Sequence, residues 1–207
     1  MSAADAELAT SRERDAARGR RLEILTLGWN LVEAAVAIGA GVVASSVALL
    51  GFGIDSVIES VSGGVLLWRL QPGADEARER RALALVGASF LLLAAYVAVD
   101  AIHGLIARAP TERSPVGIAI AALSLVVMPI LARAKRRVAA RLGSRALVAD
   151  SRQTDVCAWL SAILLGGLAA NAWLGWWWAD AAAALAMVPI LVHEGLEGLR
   201  GEHCDDC

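Results

Sequence analysis

Apolar residues fall into six long runs along this chain, at about residues 22–44, 46–70, 81–106, 115–132, 146–172 and 176–199. A helix needs roughly 20 mostly apolar residues to cross a bilayer, and five runs exceed that length. The fourth is shorter and holds Pro129, where a kink is expected. Short polar stretches separate the runs: SS, QPGADEARER, ARAPTERS, RAKRRVAARLGSR and LGWW. The pattern predicts an all-α membrane protein, a bundle of six transmembrane helices over residues 22–199. A polar basic tail (residues 1–21) precedes it and a short Cys/His tail (residues 200–207) follows.

Charge then gives the bundle a direction. The first tail carries five Lys and Arg residues, the second loop with its flank four, the fourth loop six and the last tail one. The opposite side has only Arg108 and Arg113, and Arg152 falls inside the fifth run. Sixteen against two predicts that both termini lie in the cytoplasm, with a bacterial inner membrane as the expected location. Trp173 and Trp176–Trp178 then sit at the outer turn, as an interfacial belt would.

Composition adds one exclusion. The 207 residues are 57% hydrophobic and 19% charged, whereas soluble domains are about a quarter charged, so a large soluble domain does not fit beside six spans. Residues 1–21 read as a polar tail rather than a cleavable leader. Nothing in the chain predicts a nucleic-acid partner. Three cysteines (Cys157, Cys204, Cys207) are too few and too placed for a disulfide framework.

Against this apolar background the ionisable residues inside the runs stand out, because charge in a bilayer is costly and usually functional. Asp55 and Glu59 are spaced i, i+4 in the second run, on one helical face. They lie roughly 13–20 Å from the start of that run at 1.5 Å per residue. In the fifth run Asp150, Gln153 and Cys157 form a stripe at i, i+3 and i+7. Asp155 falls about 200° from Gln153, on the opposite face, and its neighbour Arg152 is expected to neutralise it. The second run descends where the fifth ascends, so the two stripes are expected to meet. Each also has a plainer reading: a buried polar pair for Asp55 and Glu59, a small packing residue for Cys157, and a headgroup-facing acid for Asp150.

This arrangement resembles the cation diffusion facilitators. Their second helix carries S-x-A-L followed by two acids four apart; here Ser46, Ala48, Leu49, Asp55 and Glu59 stand in that register. Their fifth helix reads A-D-x-x-H-x-x-x-D, matched in spacing by Ala149, Asp150, Gln153 and Cys157. Asn30 and the Trp178-Ala179-Asp180 opening of the sixth run also sit where the family keeps Asn and Asp-Pro. The resemblance implies a divalent metal, zinc first and Cd, Co, Mn or Fe as alternatives, bound between helices two and five by Asp55, Glu59, Gln153 and Cys157. It implies exchange for protons, and a homodimer in the lipid bilayer. Asp150, near the start of the fifth run, either admits the metal or faces the headgroups. The chain departs from the pattern at Gln153 for His, Cys157 for Asp, Glu59 for Asp, and Phe52 where an acid is usual. The thiol would favour softer metals. The family's cytoplasmic domain after helix six is expected to be missing.

Other polar positions stay open between two readings. Asn30 and Glu33, i and i+3 in the first run, form either a proton relay or a packing hydrogen bond. Asp100 and His103 are an outer-mouth pair or an auxiliary metal site. His203, Cys204 and Cys207 hold a metal or belong to a disordered stub. Asp180 is expected to cap its own helix. The function expected is proton-coupled export of a divalent metal; the alternative is a membrane protein that binds metal, or assembles with a partner, without transport. Enzymatic chemistry is not expected, since no Ser–His or H-E-x-x-H arrangement appears in a span.

Overall fold

The computed structural model describes residues 3–69, 76–108 and 111–200. Six helices follow one another: α1 (Ala3–Ala44), α2 (Val47–Arg69), α3 (Glu76–Ala107), α4 (Pro115–Leu142), α5 (Arg145–Ala169) and α6 (Ala179–Arg200). All six contain stretches long and apolar enough to cross a membrane, and there is no strand among the described residues. The all-α, six-helix expectation holds.

Helix limits differ from the apolar runs in instructive places. α4 continues ten residues beyond the expected end at 132, through Arg133 to Leu142. Ala, Arg, Lys and Leu are good helix formers, so loss of hydropathy here ends the apolar run without ending the helix. It stops at Gly143, whose φ of 63° closes the last turn back onto Ala139. Ser144 at once caps α5 by accepting from the Leu147 amide at 3.3 Å. The stretch read as a long basic loop is therefore a two-residue turn between charged helix ends. α1 likewise runs back through the arginine-rich segment. At its far end α5 widens into a π-helical turn, Ala170–Leu174, before Gly175 at φ 67°.

The helices pack chiefly as α1 on α2, α4 on α5 and α3 on α6, with α1 also against α4, and α2 touching α3, α5 and α6. Without a hydrophobic drive between helices in lipid, small residues that permit close approach favour packing. Gly87 shows this: a Cβ there would stand 2.7 Å from the Gly195 carbonyl oxygen and from the Leu199 amide. The core around α2 includes Leu49, Phe52, Val97, Leu164 and Met187, each 1% exposed or less. Phe52 fills the position where the resembled pattern has an acid. Aliphatic side chains such as Leu85, Leu92, Val99 and Ile106 point outward, as lipid-facing residues do.

One end of the bundle, where α4 finishes and α5 starts, is rich in arginine and is called the basic end below. The other carries Trp173 and Trp176–Trp178, all exposed, with the Trp176 and Trp178 rings stacked 5.1 Å apart. This tryptophan end is stitched by hydrogen bonds. Ser46 Oγ donates to Asp180 Oδ1 at 2.5 Å, the Glu112 amide to the Ala44 carbonyl at 2.9 Å, and Asn171 Nδ2 to the Thr111 carbonyl at 2.9 Å. The cap expected of Asp180 on its own helix is accordingly found elsewhere. Its carboxylate takes the Ser46 hydroxyl and the Ala48 amide, closing the start of α2 from α6.

Candidate functional site

Polar residues share one stripe of α1: Glu23, Thr26, Asn30 and Glu33 are each 2% exposed or less. Their spacing of three and four residues keeps them on one helical face, turned towards α2, α4 and α5. α2 answers with Asp55, Ser56 and Glu59, and α5 with Ser151, Thr154, Cys157 and Ser161, all buried. The bundle thus encloses a column of polar side chains, with Glu33, Asp55 and Glu59 at mid-depth.

Glu33 stands at the centre. Its Oε1 accepts from Ser56 Oγ at 2.6 Å and from Cys157 Sγ at 3.5 Å, and its Oε2 accepts from Trp29 Nε1 at 2.9 Å. Trp29 also reaches Ser124 of α4 at 2.9 Å. Asp55 and Glu59 lie close enough to Glu33, and to each other, for their charges to interact. The stripes of α2 and α5 do face one another: Thr154 Oγ1 is 3.5 Å from Glu59 Oε1, and Ser62 Oγ donates to Gln153 Oε1 at 3.2 Å. Gln153, half-buried, therefore sits beside Ser62, one turn beyond Glu59 towards the basic end. Cys157 is beside Glu33.

The satisfied groups contrast with those that are not. Both polar atoms of the Asn30 side chain and Oε2 of Glu59 are buried with no hydrogen-bond partner. The tight turn between Ala44 and Val47 sets α1 antiparallel to α2, so from the Glu33–Ser56 contact Asn30 and Glu59 both lie one turn towards the basic end. Buried polar groups are nearly always paired, and an exception calls for a bound ion or water. Among the described residues no three His, Cys, Asp or Glu side chains are gathered closely enough to hold a metal. The donors share a layer without forming a closed shell.

Towards the basic end the column holds Lys135. It is fully buried, with Nζ 2.8 Å from Glu23 Oε2 and 2.6 Å from Asp150 Oδ2. It also reaches Thr154 Oγ1 at 3.4 Å, the same hydroxyl that meets Glu59. Each ion pair is worth about 6 kcal/mol at an effective dielectric near 20, against a desolvation cost of several kcal/mol per ion. One ammonium between two carboxylates can offset that cost where a lone pair would not. By hydropathy Lys135 belongs to the polar stretch RAKRRVAARLGSR. Two signals marked it: it extends the inward stripe Ser124, Met128, Ala132 at helical spacing, and it is the one lysine in a chain that otherwise uses arginine.

Asp155 meets Arg136 of α4 across the helix pair, on the outward side that its helical phase predicted. Asp100 is half-buried and His103 exposed on α3. His203, Cys204 and Cys207 lie outside the described residues.

Six apolar helices around a buried column of acids, hydroxyls and one ammonium define a multi-pass membrane protein with an ionisable interior. Residues 24–200 match the cation efflux transmembrane domain, and the chain belongs to the cation efflux family. It is 27% identical over 178 residues to an uncharacterized transporter of Synechocystis sp., covering 81% of this chain and 57% of that protein. It is 29% identical over 152 residues to transmembrane protein 163 of Xenopus laevis, covering 70% of this chain and 54% of that protein. The chain thus spans about half the length of these curated relatives.

Proposed function

We propose that the protein carries divalent metal cations across its membrane, zinc first among them, in exchange for protons. Family membership supports cation transport. The observation that carries the site is the pair of orphaned groups, Glu59 Oε2 and the Asn30 amide, in a layer that also holds Asp55, Glu33 and Cys157. A divalent cation would satisfy Glu59 Oε2 and Asn30 Oδ1 and offset the repulsion among the carboxylates. Asp55 and Glu59 are its anionic ligands, Cys157 its soft one, and Gln153 a neutral donor at the edge. Protons taken up by the same carboxylates would expel the metal, which makes the exchange a competition for one set of oxygens. Glu33, its oxygens already engaged by Ser56, Trp29 and Cys157, positions the thiol and is a group for passing a proton to the site.

On this reading the basic end faces the cytoplasm of a bacterial cell, the metal leaves the cell, and the working unit is a homodimer. Proteoliposomes test it. Zn²⁺ flux that grows with an imposed pH gradient is expected, with Cd²⁺, Co²⁺, Mn²⁺ and Fe²⁺ compared at equal concentration. Tight binding without flux under any gradient would instead favour a non-transporting metal-binding role.

A further inference from the structure

Glu23 of α1, Lys135 of α4 and Asp150 of α5 meet in one ion cluster. Gly63 of α2 completes its wall, since a Cβ at that position would collide with Glu23 Oε1. The four helices that surround the acid layer therefore converge at a single level. Along α5 this level is about 10 Å from Cys157, and along α1 about 15 Å from Glu33, in both cases towards the basic end. Lys135 is 0% exposed here.

We infer that Glu23, Lys135 and Asp150 form an ionic latch that closes the acid layer from the basic end, and that its release admits the cation. The closure itself is independent of the transport reading; only the identity of what passes rests on it. Three features support a latch over a static brace. A bundle needing only stability is served as well or better by packed apolar residues than by buried ions. Charged groups that separate regain hydration, so a closure made of them can open to water, whereas apolar side chains form a barrier by dewetting. The cluster also carries two carboxylates against one ammonium, so once the ammonium moves aside its opening is lined by negative charge.

The latch is also wired to the site. Thr154 Oγ1 lies 3.4 Å from Lys135 Nζ and 3.5 Å from Glu59 Oε1. A divalent cation settling on Glu59 therefore arrives one hydroxyl away from the ammonium. Like-charge repulsion then opposes metal at Glu59 while Lys135 holds its place beside Thr154.

The test reads the closure without any metal. Replacing Cys204 and Cys207 by Ser leaves Cys157 as the last of the three thiols. Its reaction with a charged, membrane-impermeant methanethiosulfonate is timed in chelator from each face of sealed vesicles. Lys135→Met is expected to speed labelling from the basic face at least tenfold and to leave the other face unchanged. Lys135→Arg should stay slow, and the charge-exchanged pair Glu23→Lys with Lys135→Glu should return the rate to within about threefold of the parent. If Lys135→Met is not recovered as a monodisperse protein, Gly63→Ala, which collides with the Glu23 carboxylate and presses more lightly on Leu27, should accelerate labelling at least threefold. An unchanged rate in a folded Lys135→Met or Gly63→Ala protein overturns the latch, as does equal acceleration from both faces, which would mean general loosening. Faster labelling in a protein whose parent moves no metal would keep the latch and sink transport; metal flux with an unmoved labelling rate would do the reverse.

Discussion

Asp55 and Glu59 share a face of α2, yet the residues around them set their roles. Glu59 keeps a bare oxygen while Glu33 spends its own on Ser56, Trp29 and Cys157. Asp55→Ala should reduce metal flux at least tenfold while the protein stays inserted and monodisperse, because it removes a ligand charge and little volume; near-normal zinc flux would move the site elsewhere. Cys157 offers a sharper measurement, since softness separates metals that carboxylates barely distinguish. Cys157→Asp should still transport but lose ground with Cd²⁺ and Zn²⁺ relative to Mn²⁺, read as a fall in the Cd²⁺/Mn²⁺ flux ratio; Cys157→Ser should weaken all three. At this scale the shared face of Asp55 and Glu59 and the inward stripe that includes Cys157 were legible from helical spacing, while a ligand role for them came only from the resemblance. Glu23 and Lys135 were not legible, because each sits where hydropathy changes sign, and a window average assigns such residues to solvent. Asp180 was misread for another reason. A carboxylate at a helix start can cap its own helix or a neighbouring one, and only tertiary contact decides.

Among the elements, all six helices could be read from apolar run length, since backbone polar groups in lipid must be satisfied within the segment. The ends were less legible: the basic continuation of α4 is helical without being apolar, and hydropathy is blind to that. Pairing of helices was also hidden, because small residues that permit contact recur on several faces. Gly87 now identifies one contact. Its neighbours on α6 are backbone atoms, which cannot turn aside as a side chain can. Gly87→Val should therefore separate α3 from α6 at a cost of about 1–3 kcal/mol, lowering the thermal midpoint in detergent by several degrees. Gly104→Ala, with open space around its Cβ, should leave the midpoint in place. Equal shifts for both would mean that the α3–α6 contact is not close in the protein.

For the whole molecule, the arginine count implies which way round it sits, and that is measurable. Cysteine introduced at Arg141, at the basic end, should react with an impermeant reagent from the cytoplasmic face only, and one at Glu112 from the other face only. The reverse result would turn the expected direction of export around. The two ends also differ in what joins them. At the tryptophan end, neutral and charged hydrogen bonds run from the α1–α2 turn to the start of α6, and through the α3–α4 segment to the π-turn after α5. At the basic end the ties between helices include Glu23–Lys135–Asp150, Arg136–Asp155 and Arg141–Asp15, all between charged side chains. Short bonds to backbone atoms fail when a helix shifts by an ångström or two, whereas long charged side chains can follow, part and find water. The bundle is in this sense a pair of tongs, with a stiff joint at the tryptophans and jaws held by charge. If the latch opens, the helices would part at the basic end, where salt screens the partly exposed Arg136–Asp155 and Arg141–Asp15 pairs and hardly reaches the buried Lys135 cluster.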